Sequence, residues 1–164
     1  MFPFNFLKAF KSQVSIYNVN AGIKEVSLYL SKTPQWSLFA HGIGLELDHY
    51  RATEFKIYDK GTFWSKGYRN IIYVFLFDEQ HHTKLEMKIQ PMLEFYLSFL
   101  IPVIGGCIFL FKFFSSFESV TLYPTLFLLF VLPFGLMWSQ LYANELSKRR
   151  FIKYITKEFR IINL

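Results

Sequence analysis

The stretch EFYLSFLIPVIGGCIFLFKFF, residues 94–114, is apolar on every side of a helical projection. Phe95 to Phe111 is a run of 17 residues without a charge. Lys112 can extend its ammonium group toward water, which lengthens the usable segment through Phe114. A helix needs about 20 apolar residues to cross a hydrocarbon core of about 30 Å. The stretch therefore predicts a first transmembrane helix over about 95–114.

A second apolar segment follows closely, LYPTLFLLFVLPFGLMWSQL at 122–141, with 20 residues and no Asp, Glu, Lys, Arg or His. An alternative is a pair of buried helices in a soluble protein. A chain of 164 residues leaves too little other mass to surround two helices that are apolar all round. We therefore expect a transmembrane hairpin over 92–142.

Composition agrees with this hairpin. Hydrophobic residues make up 52% of the chain, and charged residues are 18% against about 25% in typical soluble domains. From Phe95 to Leu141 the charged residues are only Lys112 and Glu118. The single Cys107 excludes an intrachain disulfide framework and favours a reducing compartment. The net charge of +6 lies beside the apolar segments, so the predicted partner is a bilayer with anionic headgroups and not a nucleic acid.

The positive charges predict the orientation of the hairpin. Of 18 Lys and Arg residues, 11 precede the first segment, 6 follow the second, and only Lys112 lies in the connection. The positive-inside rule then places both termini in the cytoplasm, and a bacterial inner membrane is the expected setting.

Prolines and glycines interrupt both spans. They are predicted to kink the helices or let them pack closely, and the alternative is a gated constriction built from several copies. These residues are Pro102, Gly105, Gly106, Pro133 and Gly135. Neither span has an ionisable side chain at its middle, so a transporter or proton relay is not predicted.

Residues 1–91 are predicted to form a cytosolic α+β domain. SQVSIY at 12–17 alternates like a short strand, and a helix with Asn20 as N-cap follows and stops at Pro34. Period-two alternation then predicts an antiparallel meander of about four strands, in which NIIYVFLF at 70–77 is apolar on both faces, as a central strand would be. The glycines in AHGIGLEL indicate a bend and not a phosphate-binding loop.

The tail over 143–164 is predicted to be a basic amphipathic helix that either lies on the membrane surface or docks on the domain. Its cations are candidate ligands for anionic headgroups. They are Lys148, Arg149, Arg150, Lys153, Lys157 and Arg160.

The sequence shows no pattern specific to catalysis. The histidines at 41, 49, 81 and 82 match no metal-ligand spacing, and no nucleophile motif is present. We therefore expect no enzyme activity, metal or cofactor. An alternative is a membrane-tethered lipid-modifying enzyme that uses His41, Asp48 and His49.

The expected function is that of a non-enzymatic integral membrane protein, an accessory or assembly subunit that docks other membrane-protein subunits through its cytosolic domain. The alternative is an oligomeric pore or membrane-disrupting effector, made of several copies of this chain and triggered through the same domain.

Overall fold

The computed structural model describes residues 6–34, 44–59, 70–80, 82–116 and 122–162. A short 3-10 helix, Phe6–Ala9, comes first. The remaining elements, in chain order, are β1 (Gln13–Val19), α1 (Ile23–Ser31), β2 (Leu45–Arg51), β3 (Glu54–Asp59), β4 (Asn70–Glu79), β5 (His82–Pro91), α2 (Leu93–Ser116), α3 (Leu122–Leu126), a π-helical stretch (Phe127–Val131), α4 (Leu132–Ile155) and β6 (Ile161–Ile162).

The six strands form one antiparallel sheet in the order β2-β3-β4-β5-β1-β6. The meander from β2 to β5 pairs consecutive strands, and β1 then pairs with β5, so α1 connects β1 across the sheet to the far edge. The predicted α+β class, with an antiparallel sheet and two long apolar helices, is confirmed. The sixth strand was not expected from the sequence.

One face of the sheet holds the hydrophobic core. Alternate residues of the strands point to this face, and α1 and α4 cover it with Val26, Leu30, Phe151 and Ile155. Their strand partners are Val19, Leu47, Phe55, Ile57, Ile72, Val74, Leu76, Leu85, Met87 and Ile89. The tail is therefore part of the core, because strands β1 to β5 with one helix bury too little apolar surface by themselves.

Helix α1 begins two residues later than the sequence predicts. Gly22 is its N-cap, and the Gly22 N–H donates to Glu25 Oε2 at 3.3 Å. Asn20 instead donates its backbone N–H to the carbonyl of Arg160 at 3.0 Å. This tertiary bond uses the residue that the local pattern assigned to the cap.

Two helices are long and apolar enough to cross a membrane. One is Leu93–Lys112, with 20 residues and a mean hydropathy of 2.0 over its most apolar 18 residues. The other is a continuous helix of 34 residues, Leu122–Ile155, with a mean hydropathy of 1.7 over its most apolar 18 residues. We call it the long helix; it joins α3, the π-helical stretch and α4. Together α2 and the long helix form the apolar hairpin.

The π-helical stretch lies directly before Pro133. Proline has no N–H to donate and its ring collides with the carbonyl four residues earlier, so a regular α-helix is disturbed there. The Leu132 N–H donates to the carbonyl of Phe127, five residues back, which widens the turn ahead of the proline. A π-bulge therefore lies directly before Pro133.

The C-terminal helix ends at Ile155, whereas the sequence predicted helix through 164. After two turn-like backbone bonds, Ile161 and Ile162 pair with Val19 and Asn18 at the edge of β1. The last residues form a strand because β1 would otherwise present unpaired backbone groups at the sheet edge. Isoleucine is β-branched and is well suited to a strand at this position.

Candidate functional site at the junction of sheet and hairpin

Helix α4 crosses without a break from the apolar hairpin to the sheet. One of its faces is buried along the whole crossing, with residues spaced by three or four positions: Gln140, Asn144, Ser147, Phe151 and Ile155. The first three are polar and the last two are apolar core residues. A polar zone therefore lies between the apolar hairpin and the core of the domain.

Four side chains in this zone form a closed hydrogen-bond cluster, which we call the junction network: Asn70, Gln140, Asn144 and Ser147. Gln140 Nε2 donates to Asn70 Oδ1 at 2.7 Å and to Asn144 Oδ1 at 2.8 Å. Asn70 Nδ2 donates to Ser147 Oγ at 2.8 Å. Ser147 in turn donates to the Ala143 carbonyl at 2.9 Å. The network ties the first residue of β4 to three successive turns of α4.

Two atoms of the junction network have no hydrogen-bond partner. They are Gln140 Oε1 and Asn144 Nδ2, in side chains that are fully buried. An unpaired buried polar group costs about 1–3 kcal/mol. The junction network therefore leaves two of its polar atoms unsatisfied, and a change in any of its four members should affect stability.

An ion pair extends the junction beyond the network. Arg150 Nη1 donates to Asp59 Oδ1 at 2.8 Å, and only 3% of the Asp59 side chain is exposed. Asp59 pairs in register with Asn70, so the ends of β3 and β4 both bind α4. The neighbouring Arg149 pairs instead with Glu145 at 3.0 Å on the exposed side of the helix.

An aromatic cluster lies where α2 begins. The ring of Phe10 is 5.4 Å from that of Phe95 and 4.7 Å, edge-on, from that of Phe99. Tyr96 Oη donates to the Phe10 carbonyl at 3.1 Å. The chain before β1 is therefore fastened to the first two turns of α2.

The junction contains amides, a hydroxyl and one ion pair. Among the described residues, no three or more His, Cys, Asp and Glu side chains cluster where a metal would bind. This chemistry suits rigid attachment of the sheet to the hairpin.

The alternative catalytic set, His41, Asp48 and His49, stays a prediction, because His41 lies outside the described residues. Of the other histidines, His81 also lies outside them, and His82 Nε2 is 2.9 Å from Glu79 Oε2. Asp48 pairs with Lys56 at 2.8 Å, and this hydrogen bond raises the pKa of the Lys56 ammonium group. Asp48 in β2 thus forms a cross-strand ion pair with Lys56 in β3.

The six basic residues predicted to bind headgroups have different surroundings. Arg150 is bound to Asp59 and Arg149 to Glu145. Lys153, Lys157 and Arg160 are exposed, and Lys148 is partly buried. Their contact with a membrane surface stays a prediction.

The predicted kink and packing residues also differ among themselves. Pro102 and Pro133 are buried. A Cβ added to Gly106 would lie 2.6 Å from Cγ of Leu129, whereas one added to Gly105 would make an ordinary contact of 3.8 Å with Leu128. A Cβ on Gly135 would meet no described atom within 4 Å. Gly106 is thus the point of close approach in the hairpin.

Sequence reasoning did not identify the junction network or the Asp59–Arg150 pair. One signal was available: Gln140, Asn144 and Ser147 repeat at helical spacing from the end of the second apolar segment onward. Asn70 and Asp59 had no such signal, because their role depends on strand ends that meet only in the folded sheet.

The outer face of the sheet carries no helix in the part of the chain that the structure describes. Its exposed or half-exposed side chains follow the strand register in rows. One row is Val14, Lys88, Tyr73 and Lys56, and the next is Ile16, Glu86, Phe75 and Glu54. In β4, Tyr73 therefore lies between two lysines in the first row, and Phe75 lies between two glutamates in the second.

Comparisons with protein-family models, with curated proteins and with solved structures give no match to this chain.

Proposed function

We propose that this protein is an integral membrane protein without catalytic activity, in which the apolar hairpin spans the bilayer and the sheet domain docks a protein partner as an accessory or assembly subunit of a larger membrane complex. The expected setting is a bacterial inner membrane with both termini in the cytoplasm.

The observation that carries the proposal is the continuity of the long helix through the junction. Its apolar first half meets the length requirement for a span, and its second half is buried in the core of the domain. A partner bound to the sheet is thereby held at a fixed position relative to the hairpin.

Lipid as the solvent of the hairpin is supported by the side chains on its surface. Large apolar residues are exposed along both helices, among them Ile101 at 69%, Phe111 at 75% and Val131 at 59%. A soluble protein of this size would not leave such a surface to water.

The outer face of the sheet is the proposed docking surface. Phe77, Val14 and Ile16 are exposed there at 48%, 53% and 43%. One row of this face carries lysines and the next carries glutamates, so an anionic bilayer would be repelled by the second as much as it is attracted by the first. The same mixture of charges suits a protein partner whose surface has an apolar centre and a charged rim. The partner is therefore a protein subunit.

Affinity purification of the tagged full chain from its native membranes tests this function. We expect one membrane protein to co-purify at constant stoichiometry, and we expect Phe77→Asp to abolish the association. Leu28→Asp is the matched control, because Leu28 is 60% exposed on α1, away from the outer face. Equal recovery of the partner with both variants would refute the docking surface.

A second candidate is an oligomeric pore or membrane-disrupting effector. The π-bulge supports it, since such bulges occur often at functional sites and Gly106 packs directly on Leu129 within it. A homo-oligomer of one size that releases a dye from liposomes would favour the pore, whereas a hetero-complex without leakage favours the accessory subunit.

A further inference from the structure

We propose that the segment of residues 8–11 is a second membrane contact of this protein, in which Phe10 sits at headgroup depth and Lys8 and Lys11 bind anionic lipid phosphates. The inference rests on the proposed insertion of the apolar hairpin. It adds a second surface of the protein that binds anionic lipid.

The depth of Phe10 follows from its neighbours. Its ring contacts Phe95 and Phe99, within the first seven residues of a helix that begins at Leu93. At 1.5 Å per residue, Phe99 lies only ~9 Å along α2 from its first residue. A ring held beside these residues is at the level where aromatic side chains settle at a bilayer interface.

The backbone of the segment is fixed to α2 by a hydrogen bond. The Tyr96 hydroxyl donates to the carbonyl of Phe10 at 3.1 Å, and Ala9 is fully buried. This hydrogen bond is independent of the ring packing, and it holds the segment at the same level of α2.

The charges near the base of the hairpin favour anionic lipid. Lys8 and Lys11 are exposed on either side of Phe10. The exposed carboxylates nearby are Glu94 on α2 and Glu145 on α4, and Glu145 is already paired with Arg149. Two exposed lysines therefore flank Phe10, and of the two carboxylates only Glu145 has a cation bound to it in the described residues.

The cations of the tail are placed differently. Lys153 lies 13 residues beyond Gln140 on the same unbroken helix, which corresponds to ~20 Å along its axis. Exposed charges separated by more than about 8 Å are largely screened at physiological salt. In addition, Phe151 and Ile155 are buried in the core and are not available to a bilayer. The geometry points to the N-terminal lysines as the closer lipid ligands.

Fluorescence quenching in proteoliposomes tests the inference with the full chain. An environment-sensitive fluorophore is attached to the exposed native Cys107, or to Lys8→Cys or Lys153→Cys, each of the latter two in a Cys107→Ser background. The quenchers are lipids with a spin label on the headgroup or in the acyl chain. We expect headgroup quenching at position 8, little quenching at position 153, and acyl-chain quenching at Cys107.

The outcomes separate this inference from the proposed function. Quenching at Cys107 without quenching at position 8 overturns the N-terminal contact and leaves membrane insertion intact. No quenching at Cys107 overturns insertion itself, and the inference with it. Stronger headgroup quenching at position 153 than at position 8 assigns the surface contact to the tail and also overturns the inference.

The role of charge has its own test. Lys11→Gln, with the fluorophore at position 8, is expected to reduce the ratio of membrane-bound to free segment about fivefold in vesicles of phosphatidylcholine and phosphatidylglycerol. It should have no effect in phosphatidylcholine alone. Lys153→Gln in the same background is the control and should change neither. Equal quenching in the two lipids for every variant would overturn the binding of anionic headgroups.

Discussion

Gln140 Nε2 lies 2.7 Å from Asn70 Oδ1, although 70 positions separate the two residues in the chain. This hydrogen bond joins the end of the apolar half of the long helix to the first residue of a central strand. It is the clearest link between the part of the protein suited to lipid and the part suited to water.

Loss of the Asn70 side chain should destabilise the whole molecule. In Asn70→Ala, Gln140 Nε2 and Ser147 Oγ each lose a buried partner, and we expect a cost of about 2 kcal/mol in the free energy of unfolding. Thermal unfolding in detergent micelles measures this cost. A double-mutant cycle with Gln140→Ala should give a coupling energy of about 1 kcal/mol, whereas strict additivity would show that the two side chains do not interact.

Two adjacent arginines offer a matched comparison of buried and exposed ion pairs. Arg150→Ala removes one ionic partner from the buried Asp59 carboxylate, and we expect a loss of about 3 kcal/mol. Arg149→Ala removes a pair in which the Arg149 side chain is 74% exposed, so the loss should be about 0.5 kcal/mol or less. Urea unfolding of both variants in the same detergent compares them, and equal losses would contradict the burial of Asp59.

The two glycines Gly106 and Gly135 should respond in opposite directions to alanine. Gly106→Ala brings a methyl group within 2.6 Å of Leu129, and overpacking of this kind costs about 1–3 kcal/mol. Gly135→Ala meets open space and removes a flexible residue from a helix, so a small gain of about 0.5–1 kcal/mol is expected.

Resistance of the hairpin to unfolding by sodium dodecyl sulfate, followed by circular dichroism, measures both glycine variants. A stabilised Gly106→Ala protein would show that α2 and the π-helical stretch do not pack as described.

Stability should fall in the alkaline range through Tyr29. Burial raises the pKa of its phenol above the usual 10.0, and the neighbouring Tyr154 and Glu158 add to the rise. The folded state therefore keeps the proton longer than the unfolded state. The stabilisation is complete below pH 10.0, the unfolded pKa, and is lost as the pH rises through the folded pKa.

We expect the unfolding midpoint of the native protein to drop above that pH more steeply than the midpoint of Tyr29→Phe, which has no proton to lose. The Tyr29 hydroxyl also donates to the Tyr154 carbonyl at 2.9 Å, so the variant should start from a lower midpoint at neutral pH. Parallel pH profiles for the two proteins would rule out this role for Tyr29.

The sequence by itself determined the features that repeat along the chain. Period-two alternation predicted β2, β3 and β5, a short continuous apolar run predicted β4, and the longer uncharged runs predicted α2 and the first half of the long helix. These patterns are local. Side chains on one face recur every 2 residues in a strand and about every 3.6 residues in a helix, so a short window of sequence is enough to show them.

Only the tertiary structure decided how the segments meet. It placed β1 beside β5, added β6 at the edge, and docked Phe151 and Ile155 on the sheet. Before folding, the tail suited a membrane surface as well as a protein core, because an amphipathic helix offers the same apolar stripe to either. The choice depends on complementarity between residues far apart in the chain, such as Asp59 and Arg150, which no local pattern records.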